Sequence, residues 1–274
     1  MRLTKKNYFS PKANKYYMST SQFKAMSKCE AAALAELNGD YVREKTTALL
    51  VGSYIDSYFS NELDQFKSEN PEIFTKGGEL KSDYRQAEYI IARIKKDKLF
   101  MLMLSGRKQV VRTGIIAGVP FKIKMDYLLN SKNIAKVIKA FPETVEWFGF
   151  GEGAINDLKI MRDFSDQWDS EYGMYVPFVE HWGYDIQGAI YQKIEGNSLP
   201  FFISAASKEK PESELVILNI PQPELDAKLI EVEEQAPRFD ELKRGIGTPN
   251  KCGKCTYCRK TKILTNIIDY REVR

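Results

Sequence analysis

The chain has 274 residues, enough for one sizeable core with or without an appended subdomain. It is 43% hydrophobic and 28% charged, and no apolar run approaches the roughly 20 residues needed to cross a bilayer. The formal net charge of +4 is too small to name a polyanionic partner by itself. Lys and Arg cluster over 93–98, 132–139 and 251–262, but such runs taken singly are ordinary solvated faces. Met1 to Ser10 contain no apolar signal core, which predicts a cytoplasmic protein with no membrane segment.

Ser19 and Gln22 form a capping box that opens a helix running to about Leu37, where Asn38-Gly39 ends it. Met26, Cys29, Ala33 and Leu37 fall on one face of that helix, so Cys29 points inward. A second helix is predicted from about Lys45 to Phe66, with Gly52 and Asp56 four apart on one face. An interior glycine costs about 1 kcal/mol relative to alanine, so Gly52 asks for a packing reason. A third helix covers about Ser82 to Leu104. The period then changes to two, and Val110–Ile116 and Val119–Leu129 read as strands around Ala117-Gly118.

Residues 130–151 interrupt the pattern with a short amphipathic piece, Ile134 to Phe141, and an aromatic stretch holding Trp147, Phe148 and Phe150. Ala154–Ile160 is the next strand. A helix follows from Pro177 to about Glu195, stopped by Gly196. Two strands, Pro200–Ser207 and Glu214–Ile220, precede a long charged helix from Pro221 to Arg244. Alternating elements of this kind predict an α/β (α+β) fold with a mixed sheet and helices on its faces. The expected organisation is one unit over 1–274, with a helical part at 19–104, a sheet core at 105–220, and a C-terminal helix and cysteine group at 221–274.

Chemistry concentrates on two of these strands. Asp126 lies in the apolar-rich strand Lys122-Ile-Lys-Met-Asp-Tyr-Leu-Leu129. Asp157 and Lys159 lie in Ile155-Asn-Asp-Leu-Lys-Ile160, where positions two apart project from the same face. Phosphodiester hydrolysis uses a hard divalent cation held by carboxylates, and a nearby lysine can stabilise developing charge. D-x-K alone is a weak signal. Its placement on a strand after a strand-borne aspartate, and before a helix presenting Gln187 and Tyr191 on one face, strengthens it. The sole histidine, His181, reads as an ordinary helix residue.

Cys252-x-x-Cys255-x-x-Cys258 is a ligating pattern, since structural disulfides are rare in cytosolic chains.

Gly52-x-x-x-Asp56, Asp126, Asp157-Leu-Lys159 and Gln187-x-x-x-Tyr191, in that order, resemble the motifs of RecB-like nucleases of the PD-(D/E)XK superfamily, in particular the phage exodeoxyribonuclease VIII (RecE-type) group. The resemblance implies that Asp126 and Asp157 bind Mg²⁺ or Mn²⁺, that Lys159 assists the attacking water, and that Gln187 and Tyr191 support the site. Asp56 stands where the family usually has histidine and is a further metal candidate. Some members carry an iron–sulphur cluster, and Cys29, Cys252, Cys255 and Cys258 resemble its ligands. Four thiolates suit a [4Fe-4S] cluster or, alternatively, a structural Zn²⁺. The implied activity is exonucleolytic digestion of double-stranded DNA ends by a homo-oligomer in a bacterial host's cytosol. It would be phage or prophage encoded and supply single strands to a RecT-type annealing protein. A CRISPR-adaptation nuclease and a non-catalytic DNA-binding protein of the same fold are the alternatives. Residues 130–151 look like an insertion whose aromatics form either a small satellite core under a loop or a DNA contact through Trp147 and Phe148, with Lys132 and Lys136 on phosphates; Arg162, beyond the D-x-K strand, is also expected to contact DNA.

Overall fold

The computed structural model describes residues 3–149, 151–169, 173–196, 199–267 and 269–272. Phe150, part of the expected aromatic stretch, lies outside the described residues. In chain order the helices are α1 (Pro11–Tyr16), α2 (Thr20–Lys28), α3 (Glu30–Asn38), α4 (Thr47–Ser60), α5 (Leu63–Glu69), α6 (Gln86–Lys96), α7 (Lys98–Met103), α8 (Ser131–Ala140), α9 (Phe178–His181), α10 (Tyr184–Glu195), α11 (Gln222–Lys243) and α12 (Thr256–Lys260). The strands are β1 (Met18–Ser19), β2 (Arg107–Ile116), β3 (Val119–Asn130), β4 (Gly153–Met161), β5 (Gln167–Asp169), β6 (Met174–Val176), β7 (Phe201–Ser207) and β8 (Leu215–Asn219).

The expected α/β architecture is present, a mixed central sheet with helices on both faces. Its order is β1-β3-β4-β7-β8, and β2 pairs with the other edge of β3. β2 and β3 form an antiparallel hairpin, and β4 runs antiparallel to β3 and parallel to β7. Helices α4, α6 and α7 cover one face and pack on Tyr127, Leu129, Ala154, Leu158 and Phe202. Helices α2, α10 and α11 cover the other, on Phe121, Ile123, Met125, Ile155 and Ile203. Close approach of α10 to the sheet depends on Gly188, where an added Cβ would lie 2.7 Å from both Phe201 Cδ1 and Leu225 Cδ2. Gly52 lies on α4 facing β4, but a Cβ there would meet only Ile160 Cβ at 3.8 Å. Helix packing therefore does not force that glycine.

Four of the five long helices read from the periodicity each break once, and the fifth, α11, runs unbroken. The first breaks at Cys29, whose extended backbone (φ −167°, ψ 103°) ends α2 and caps α3. The second breaks at Asn61, in a left-handed conformation. The third breaks at Asp97, whose side chain caps α7 through the Phe100 N–H. The fourth breaks at Gly183, with φ +61°. Apolar periodicity survives a one-residue corner, so these breaks leave little trace in it.

The short elements α1, β1, β5, β6 and α12 escape the pattern altogether. The β5–β6 hairpin is only three residues per strand. Helix α1 and strand β1 are held by a contact invisible in sequence: Lys122 of β3 is fully buried, with Nζ donating to Tyr8 O at 2.5 Å and Asn14 Oδ1 at 2.6 Å. Burial brings that amine down to about 8.

Gly188→Ala should lower unfolding free energy by about 1–3 kcal/mol, the range for overpacking a filled core, because a phenyl ring yields less readily than a chain end. Urea denaturation at matched m-values measures it. A loss near zero would mean that α10 can shift outward freely.

Candidate active site

The site is built at a fork between two strands. β3 and β4 pair from Asn130↔Gly153 to Tyr127↔Asn156 and then part. Where the ladder would continue, the Leu158 N–H donates to Asp126 Oδ2 at 3.1 Å. A side-chain carboxylate thus takes the place of a backbone acceptor. Strand β3 also changes phase here. Val119, Phe121, Ile123 and Met125 pack with α2, α10 and α11, whereas Tyr127 and Leu129 pack with α4, α6 and α7. Strict alternation would hold all six on one face.

The second oxygen of Asp126 is held from the opposite edge. Gln109 of β2 is 1% exposed, and its Nε2 donates to Asp126 Oδ1 at 3.3 Å. Gln109 adopts φ +53°, a left-handed conformation costly for a residue with a branchless but full-length side chain. Its Oε1 is buried without a partner. Periodicity carries no signal for this residue, since glutamine in a strand reads as an ordinary polar position.

Asp157 and Lys159 project together from β4, as their spacing requires. Asp157 is 2% exposed; its Oδ1 accepts from Gln187 Nε2 at 2.7 Å, and Lys159 Nζ forms an ion pair with Oδ2. Lys159 Nζ also lies 5.1 Å from the centre of the Tyr184 ring. One turn beyond Gln187, Tyr191 donates its hydroxyl to Lys124 O at 3.1 Å, tying α10 to the unpaired edge of β3. Lys24 of α2 closes this side, its Nζ donating to Trp182 O at 3.1 Å and lying 5.3 Å from the Tyr184 ring.

Burial, then the neighbouring Asp157 and Asp56 carboxylates, push the Asp126 carboxyl well above the usual carboxylate range. Burial also raises Asp56 to about 6, opposed by Lys124 and Lys159. Desolvation pulls the Lys159 amine down, but Asp157, Asp126 and Tyr184 outweigh it and hold the amine above its ordinary value. Lys24 falls to about 8, first by burial and then by the adjacent Lys159 charge. Aspartates 56, 126 and 157 are therefore gathered in one largely desolvated group, with Lys159 and Lys124 as the opposing charges.

That group fits a divalent cation. Asp56 Oδ1 is buried without a hydrogen-bond partner, and hard oxygen donors that resist shared ionisation are what Mg²⁺ or Mn²⁺ satisfies. The three carboxylates are not drawn into one tight cage. Among the described residues, the cysteines are the group of three or more ligating side chains that lie within 4.8 Å of one another. Asp56 of α4 lies within electrostatic reach of Asp126 and Asp157.

The other sequence-derived contacts lie elsewhere. Lys132 and Lys136 are exposed on α8. Arg162 is exposed at the end of β4, paired with Asp163 at 2.5 Å. Trp147 is half exposed, but Phe148 is a core residue at 3%, its ring 5.2 Å from that of Phe202. Both rings border an apolar cavity of about 400 Å³ with Leu99, Met103 and Ile217. Phe202 pairs with Asn156, so Phe148 sits on the sheet face opposite Asp157 and Lys159. The expectation that Phe148 stacks on DNA meets a buried ring. His181 ends α9 with its ring edge-on to Trp182 and joins no ligating group among the described residues.

The four cysteines do assemble. The corner at Cys29 meets the C-terminal loop, with Cys29 Sγ 3.6 Å from Cys258 Sγ and Cys252 Sγ 3.9 Å from Cys258 Sγ. Backbone N–H groups of Cys255 and Cys258 donate to the Cys252 and Cys255 sulphurs at 3.3 and 3.4 Å. The loop is held to α3 by Glu30, which accepts from Arg238 at 2.7 and 2.8 Å and from the Asn250 N–H at 2.7 Å.

A family profile described as a PDDEXK-like domain of unknown function (DUF3799) matches residues 19–148 and 144–261. The chain is also similar to a solved structure from Eubacterium rectale, provisionally named an exonuclease. The two are 43% identical, with 98% of this chain and 97% of that chain covered and a TM-score of 0.82. A second solved structure, SSO0001, is 16% identical over 87% of this chain and 91% of its own, with a TM-score of 0.29, too low to bear on the fold. No curated protein matches significantly.

Removing the Gln109 amide should loosen Asp126. Gln109→Ala is expected to weaken Mn²⁺ binding, measured by titration calorimetry, by about 10–100-fold, as loss of a ligand's supporting partner does. Gln109→Gly removes the same amide and also the left-handed strain, so it should bind as weakly while unfolding no more easily. Unchanged affinity in both variants would reduce Gln109 to a packing residue.

Proposed function

The chain belongs to the DUF3799 family of PDDEXK-like domains, and we propose that it is a divalent-metal-dependent deoxyribonuclease acting on the ends of linear double-stranded DNA. One observation carries this reading: the Leu158 N–H bond to Asp126 parts β3 from β4 and sets that carboxylate beside Asp157 and Lys159. The relative from Eubacterium rectale, provisionally named an exonuclease, supports digestion from an end over internal cleavage.

Asp126 and Asp157, with Asp56 from α4, would hold Mg²⁺ or Mn²⁺. When bound, such an ion polarises a phosphoryl oxygen and lowers the pKa of a water. The rest falls to the chain's own groups. Gln187 fixes the Asp157 carboxylate through one oxygen and leaves the other toward Lys159. Lys159 is held protonated by its acidic neighbours, so it brings a full positive charge to the phosphoryl oxygens and stabilises the charge that grows there during attack. Lys24, on the same side, adds a second amine within the range of Lys159 and Asp157. Tyr191 keeps α10, and with it Gln187, in register with β3.

DNA contact is assigned to exposed groups. Lys132, Lys136 and Arg162 offer phosphate contacts, and Trp147 offers an exposed ring. A second aromatic pair lies on the hairpin that directly follows β4. Trp168 and Tyr175 are 54% and 64% exposed and meet edge-on at 5.3 Å. Its neighbour α9 leads to Trp182, whose ring lies 5.4 Å from Lys28 Nζ and whose carbonyl holds Lys24. Digestion from an end would supply single strands to an annealing protein of the RecT type. Assembly of several copies around the duplex, in a phage or prophage setting, completes this reading.

Linear and closed circular plasmid, incubated with Mg²⁺, separate the possibilities. Linear DNA should disappear and circles persist. Asp157→Ala or Lys159→Ala should slow digestion by on the order of 10²–10³-fold or more, the usual cost of removing one charge-stabilising group, while DNA binding persists. Wild-type protein that binds DNA without cutting it would leave a binding protein of the same fold. Cleavage of circles would move the activity to internal sites.

The two aromatic candidates are told apart by substitution. Trp168→Ala should weaken capture of a short single strand by roughly 5–100-fold, since base stacking is worth about 1–3 kcal/mol. Trp147→Ala, on the opposite sheet face from Lys159, should change it less. Fluorescence anisotropy with a labelled oligonucleotide gives both values, and the reverse order would return strand contact to the 130–151 segment.

A further inference from the structure

We propose that Cys29, Cys252, Cys255 and Cys258 hold one tetrahedrally coordinated zinc ion rather than an iron–sulphur cluster. The resemblance to cluster-bearing nucleases points the other way, and sequence spacing does not decide it. C-x-x-C-x-x-C with one distant cysteine serves [4Fe-4S] clusters in ferredoxins as readily as it serves zinc.

Sulphur separations do decide. A zinc ion with Zn–S bonds of about 2.3 Å in tetrahedral array sets its sulphurs about 3.8 Å apart. A cubane carries each thiolate outward on its own iron, which spreads the four sulphurs to roughly 6 Å or more. Here all four sulphurs lie within 4.8 Å of one another. Cys258 Sγ stands 3.6 Å from Cys29 Sγ and 3.9 Å from Cys252 Sγ, the spacing of one small ion.

The surroundings hold that spacing closed. The Cys255 and Cys258 amides each donate to the sulphur three residues back, and Cys255 caps the short helix α12 with Cys258 on its first turn. On the other side the Ala31 N–H donates to Asn250 O at 3.0 Å, and Glu30 clamps the Asn250 N–H. The loop is thus pinned to the helix that follows Cys29 only two residues before Cys252. Widening the sulphur separations by some 2 Å to admit a cubane would break these contacts. Binding would proceed by loss of the thiol protons to solvent and formation of four Zn–S bonds, with no redox change. Four protein ligands leave no open position, so the ion is structural. This inference does not depend on the nuclease reading.

The test is metal and sulphide analysis of the full chain, expressed with both iron and zinc supplied and purified without oxygen. Expected are about one zinc per chain, no acid-labile sulphide, and no absorbance band at about 400 nm. Replacement by Co²⁺ should give the visible bands of a tetrahedral thiolate site. Because Cys255→Ser can fail to fold, zinc release is also followed on the intact protein. Titration with a mercurial should free the ion as four thiols react, and a strong chelator should lower the melting temperature. Iron and sulphide near four each, with a brown protein, would overturn the inference in favour of the cluster. Absence of both metals, or zinc retained after all four thiols are blocked, would equally overturn it.

Discussion

The Asp126 carboxylate accepting the Leu158 N–H is the contact on which the rest of the site depends. A backbone amide in the middle of a sheet needs an acceptor, and leaving it bare costs as much as a lost hydrogen bond. Offering a side-chain acceptor lets β4 leave β3 without that cost. Once β4 has left, the edge of β3 from Ile123 to Asp126 is open between β1 and β4, and Tyr191 and Lys124 meet there. The fork thus creates the cleft and fills it with the residues of the site in one step. It also turns β3 over, so that the apolar side chains on either side of Asp126 serve different helical layers.

Burying charge at such a fork works against stability. Asp157 is buried and Asp126 and Asp56 are half-buried, and desolvation with the neighbouring negative charge pushes the Asp126 and Asp56 carboxyls up. The ion pair of Lys159 with Asp157 and the amides of Gln109 and Gln187 offset part of this. They do not complete it, since buried oxygens of Asp56 and Gln109 keep no partner. Unsatisfied polar atoms in a core are rare, and their clustering within one cleft marks a place arranged for a ligand over stability.

Much of this was legible in the sequence. The two-residue spacing of Asp157 and Lys159 gives a shared strand face, and the four-residue spacing of Gln187 and Tyr191 a shared helix face; both hold. The capping box at Ser19 and Gln22 starts a helix where expected. What failed were features decided by a single residue's backbone or by contacts far apart in the chain. Cys29, Asn61, Asp97 and Gly183 turn corners that leave the apolar period nearly in phase. Gln109 is defined by a strained backbone and a partner on the next strand. Trp147 and Phe148 are adjacent aromatics that local pattern cannot tell apart, yet the Phe148 ring fills the space beside Phe202 while Trp147 is half exposed. Local pattern gives faces, and only the assembled sheet says which face is a cleft and which is a core.

The corner at Cys29 joins the two unusual regions of the molecule. Helix α2 is nine residues long. Near its middle, Lys24 reaches the carbonyl of Trp182 and the ring of Tyr184, beside Lys159. At its end, Cys29 turns the chain and meets the three C-terminal cysteines. Lys28, between them, lies against the Trp182 ring. A short helix cannot fix its own orientation, because helix formation alone is marginal at this length. Tertiary contacts must set it, and here those are Phe23 and Met26 against the core and the sulphur group at the last residue. The position of an amine at the candidate site is therefore tied to a cysteine group that touches none of the three aspartates.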